Sequence, residues 1–144
     1  SKFIFKFNLM KKDIEMPEVF GVYVAVICEE SVEGEKIWNA YIVNDKRDPI
    51  ENVFVSSKGY LVDLHGEESK SSVLRHFYKV LPAKSFQKIE AVIDDVLRLN
   101  NEYFVSFYHE NQLFDKKFVF LPETIKAENL SAVPIIEKQG VWIK

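Results

Sequence analysis

The chain has 144 residues, with 19 Lys and Arg against 22 Asp and Glu, and is 47% hydrophobic and 14% aromatic. Five Gly and five Pro complete the composition of a packed domain rather than a disordered chain, and the length suits one domain over 1–144. Residues 1–72 hold nine basic and thirteen acidic groups and residues 73–144 hold ten and nine, a balance that argues against a protein devoted to nucleic-acid backbones or anionic membranes.

Phe3, Phe5, Phe7 and Leu9 alternate with Lys2, Ile4, Lys6 and Asn8, the pattern of a first strand; Phe3, Phe7, Met10 and Ile14 fit a helix instead. Gly21–Cys28 is rich in β-branched residues and apolar on both faces, as a central strand is. An acidic turn at Glu29–Glu35 leads to Ile37–Val43, so the two segments read as an antiparallel hairpin. Asn44–Pro49 is a second turn, Ile50–Ser56 a strand, Gly59-Tyr60 a bend and Leu61–Leu64 a short strand. The polar stretch His65–Ser72 reads as an exposed loop and Val73–Val80 as a strand, ending at the corner Leu81–Ser85.

Ile89, Val92, Ile93, Val96 and Leu97 form a helical stripe. It fits one short helix over 89–99, capped by Ser85 and ended by Asn100-Asn101; the competing reading is a strand at Phe86–Val92 followed by a turn. Tyr103–Tyr108 and Leu113–Leu121 make a hairpin around His109–Gln112, and Ala132–Ile136 with Val141–Ile143 supply an edge strand. Some eight apolar segments separated by polar turns define an all-β fold, an antiparallel two-layer sandwich of immunoglobulin-like or prealbumin-like type. The corner at Leu81–Ser85 suits a crossing between sheets, and Tyr103 is placed like the tyrosine of a tyrosine corner.

A lone cysteine, Cys28, excludes an internal disulfide framework and a Cys-based zinc site, and its apolar neighbours predict a buried thiol. No segment approaches the ~20 apolar residues that span a bilayer. The first residues interleave charge with aromatics rather than forming a secretion signal, so a cytoplasmic location is expected.

Trp38–Asp45, Pro49–Tyr60, Leu74–Phe77, Leu99–Tyr103 and Asp115–Phe118 together resemble a family of short uncharacterised bacterial proteins, some labelled phenylalanyl-tRNA synthetase alpha subunit. The resemblance covers about residues 20–144 and implies no particular catalytic or binding residue. The label implies a class II synthetase core, whose Arg-x-Glu motif is absent: Arg47, Arg75 and Arg98 are followed by Asp48-Pro49, His76-Phe77 and Leu99-Asn100. A looser likeness of Ile42–Gly59 to prealbumin-like and carboxypeptidase-associated modules concerns the fold alone.

No catalytic, cofactor or metal signature emerges. Three histidines are scattered, with His65-x-Glu67-Glu68 the nearest approach to ligand spacing. Ser56-Ser57 and Ser71-Ser72 lack a local base, and phosphate-binding glycine patterns are absent. The expected function is therefore a non-enzymatic protein-interaction module that pairs through a sheet edge, with a protein partner or a second copy. The alternative is a small-molecule or carbohydrate-binding sandwich using Trp38, Tyr41, Arg75 and His76. RNA association, through Arg75, Lys79, Lys84 and Lys88 beside aromatics, comes third, and no membrane partner is expected.

Overall fold

The computed structural model describes residues 17–143. The strand read at Phe3–Leu9 lies outside them. Two antiparallel sheets pack face to face. The first contains β1 (Val22–Glu30), β2 (Lys36–Asn44), β6 (Ser85–Val92), β9 (Ser131–Val133) and β10 (Lys138–Ile143), in the order β6-β2-β1-β10-β9. The second contains β3 (Ile50–Val62), β4 (Glu68–Lys70), β5 (Leu74–Leu81), β7 (Asn100–His109) and β8 (Gln112–Phe120). The 13-residue β3 is long enough to pair with β5 and then β4 along one edge while β7 follows the other, and β8 lies beyond β7. This is the two-layer all-β sandwich the alternation predicts.

β1 sits in the middle of its sheet because it is apolar on both faces; Val22 through Ile27 are all buried. The second sheet has simpler alternation. Val53, Val55, Tyr103, Val105, Phe107, Phe118 and Phe120 face inward and are buried. Each such side chain contributes about 1.5–3 kcal/mol of transfer free energy, so these aromatics dominate this half of the core.

Several local expectations are corrected. The helix over 89–99 reduces to one turn, α1 (Asp94–Leu97), because Phe86–Val92 belongs to β6. Ladder pairs run Ala40–Glu90 and then Tyr41–Lys88, so Ile89 is an extra, bulged residue. The bulge breaks the alternation, which lets Ile89 and Val92 both be buried three residues apart in a strand. Ser85 caps nothing; its hydroxyl donates to the Pro82 carbonyl. β3 runs through Gly59-Tyr60 without a bend. Gly59 is there for close approach: a Cβ would lie 2.9 Å from Leu99 Cδ1. The polar loop contains the short β4. The tail strand β10 is inserted between β1 and β9, and β9 takes the edge. Cys28 is half-buried.

The corner 82–84 does carry the chain from one sheet to the other, with Lys84 in the left-handed region (φ 52°). Asn44 fixes it from the core: its Nδ2 donates to the carbonyls of Asp48, Leu81 and Pro82 at 3.0–3.1 Å. Among the described residues, no helix is long and apolar enough to cross a membrane.

Candidate binding site at the open side of the sandwich

Among the described residues, β5 and β6 leave the corner as the last strands of their respective sheets on that side. Two inward-facing side chains of β5 stitch the gap between them. Tyr78 Oη donates to the Lys88 carbonyl at 3.1 Å, and His76 Nε2 lies 2.8 Å from Glu90 Oε1. The same Glu90 oxygen accepts a 2.7 Å bond from Ser57 Oγ on β3. Past these contacts a cleft of about 380 Å³ opens between the layers. Its polar floor is Ser57, Glu90, Asn101 and Tyr103, and its walls include Leu74, Val92, Ile93 and Val96.

The bulge at Ile89 and the alternation of β3 and β7 create this floor. Each of its members occupies an inward position that a sandwich core would fill with an apolar residue. Asn101 Nδ2 is occupied by the Val96 and Leu99 carbonyls, at 2.8 and 3.1 Å, and so ties α1 to β7. Tyr103 is only 2% exposed. Burial, then the Glu90 carboxylate, pushes its phenol well above the usual tyrosine range. Among the described residues, no partner reaches Glu90 Oε2, Asn101 Oδ1 or Tyr103 Oη. No buried polar side-chain atom is left unpaired there either, so these three atoms meet solvent.

The order of the contacts matters chemically. Ser57 donates to the carboxylate, and His76 contacts that carboxylate rather than the hydroxyl. A serine–histidine relay needs the imidazole on the serine hydroxyl, an arrangement these bonds do not provide.

Outside the cleft, the opposite face of β5 carries Arg75, Phe77 and Lys79, all exposed, with Phe77 62% accessible. Phe86 and Lys88 are exposed on β6. Among the described residues, Arg75, Lys79 and Lys88 make no ion pair, whereas Lys84 is held by Asp45 at 2.7 Å.

The four residues singled out from the sequence are not brought together. Trp38 packs half-buried against the core. Tyr41 is buried and donates to Glu29 Oε1 at 2.7 Å. Arg75 and His76, adjacent in β5, occupy opposite faces, and His76 alone touches the cleft's floor through Glu90. Sequence reasoning missed Glu90, Ser57 and the floor positions of Tyr103 and Asn101. The phenol of Tyr103 does not close a tyrosine corner.

His65 lies in an exposed loop whose turn is set by Asp63 Oδ1, which accepts from the His65 and Glu67 amides. The grouping with ligand-like spacing among the described residues is instead Asp48, His109 and Glu110. His109, at the end of β7, is half-buried and lies 3.1 Å from Asp48 Oδ2. Comparison with protein-family models and with curated proteins found no match.

Proposed function

We propose that the protein is a non-enzymatic interaction module that accepts an extended acidic peptide segment along the free edge of β5. The observation that carries this reading is the edge itself. Among the described residues β5 is paired with β3 on one side only, and it presents an exposed Phe77 between Arg75 and Lys79. An unpaired edge offers a row of backbone donors and acceptors, and alternate side chains of an added strand supply specificity. Basic residues on that edge disfavour pairing with a second copy of the same edge and favour a segment of opposite charge.

The test is fluorescence anisotropy with a labelled eight-residue peptide alternating Glu and Val, its Lys counterpart, and a single-stranded RNA of similar length. The acidic peptide is expected to bind, more weakly as salt rises. Arg75→Glu with Lys79→Glu should weaken it about tenfold, since two edge attractions become repulsions. Equal binding of the two peptides would overturn the proposal. Preference for the RNA would move the reading to nucleic-acid association, which the same mixture of cations and aromatics supports.

A further inference from the structure

We propose that the cleft between the sheets is a second, separate site that binds a small organic cation, with a primary ammonium head on Glu90 and an apolar body against Leu74, Ile93 and Val96. At about 380 Å³ the cleft lies near the lower end of the ~300–1,000 Å³ typical of ligand sites, which suits a single-ring molecule.

The head group follows from the unspent hydrogen-bonding capacity of the floor. Ser57 and His76 both use Glu90 Oε1, leaving Oε2 to the cleft. Tyr103 is 2% exposed, and a phenol that buried ordinarily has a protein partner for its hydroxyl; here the cleft must supply it. Asn101 has committed its amide nitrogen to two carbonyls and keeps Oδ1. The floor thus offers three acceptors, one of them a carboxylate oxygen, and an ammonium carries three donors. An anionic head would meet Glu90 unfavourably. A neutral hydroxyl would satisfy fewer acceptors and gain no charge attraction. The rest of the lining is mainly apolar, with the Ser71 and Ser72 hydroxyls and Lys58, whose ammonium is paired with Glu102 at 3.7 Å. Among the described residues it holds no second carboxylate, so a fully hydrated metal ion would lose its water without replacement.

The experiment uses the full chain labelled with ¹⁵N and titrated at neutral pH with benzylammonium, benzyl alcohol and benzoate, read by amide shifts. Benzylammonium should move the Gly59, Ala91 and Asn101 amides and the Asn101 side-chain amide, and bind at least tenfold more tightly than the other two. Glu90→Gln, close in shape, should weaken benzylammonium at least tenfold. Tyr103→Phe removes one oxygen while keeping the ring against Phe120, so it tests the floor even if the Glu90 variant folds poorly. It should weaken binding severalfold with the spectrum otherwise retained. Equal affinity for the three probes, shifts remote from the cleft, or titrations unchanged by both substitutions would overturn the proposal.

Discussion

Glu29 gives the sharpest quantitative test of the structure. The carboxyl lies near the end of β1, where Oε1 accepts from Asn39 Nδ2 at 2.9 Å and Tyr41 Oη at 2.7 Å, and Oε2 from Lys138 Nζ at 2.6 Å. Burial alone would raise its pKa; the bonds from Lys138, Tyr41 and Asn39 outweigh that and hold it down, from 4.5 to about 2. A depressed native pKa means that the unfolded chain binds the proton more readily. The stabilisation is complete well above pH 4.5 and is lost as pH falls through about 2. At about 1.4 kcal/mol per pKa unit the gap corresponds to roughly 3 kcal/mol. Lys138 is 51% exposed, so solvent screening reduces the expected value to about 1–2 kcal/mol. Glu29→Gln removes the charge and keeps the shape. Urea denaturation of both proteins should show a difference of about 1–2 kcal/mol at pH 7 that shrinks toward zero near pH 2. The comparison cancels the other carboxylates, which titrate in both chains. A difference that stays constant across this range would refute the assignment of the stabilisation to the ionised Glu29.

Two further substitutions test the strand order and the corner. Gly140→Ala would place a Cβ 2.7 Å from the Val26 carbonyl oxygen and 2.7 Å from Ile27 Cδ1, so β10 must shift against β1; a loss of about 1–3 kcal/mol in chemical denaturation is expected, and none would mean that β10 is not packed there. Asn44→Ala strips three carbonyls of their donor and the Lys46 amide of its acceptor. It should cost about 2–4 kcal/mol, and Asn44→Asp should not restore it, because a carboxylate faces those same carbonyls. Full stability in Asn44→Ala would refute its role at the corner.

Most strands were legible because their signal is local. The β-branched run at Gly21–Cys28 and the alternation in Tyr103–Tyr108 need no knowledge of the partner strand. What depends on a distant partner was not legible. β10 pairs with β1 from the far end of the chain, and nothing in Val141-Trp142-Ile143 marks an inserted strand rather than an edge. The stripe at Ile89–Leu97 imitates a helix because one bulged residue, opposite Ala40 and Tyr41, shifts the period. Gly59 resembles a turn residue in sequence, yet its missing Cβ serves close packing against Leu99.

The candidate site follows the same division. In a strand at Val73–Val80, alternation places Leu74, His76 and Tyr78 on one face, and it also separates Arg75 from His76 and Trp38 from Tyr41, which no single pocket could then collect. Ser57 has no partner nearby in sequence because its partner, Glu90, is 33 residues away across the layers. One strand accounts for the contrast between the two proposed sites. With a period of two, β5 sends His76 and Tyr78 inward to seal the gap to β6, and Arg75, Phe77 and Lys79 outward along an unpaired edge. An acidic cleft and a basic edge can therefore lie within one strand's width of each other, screened by the sheet between them, and a ligand suited to one carries the wrong charge for the other.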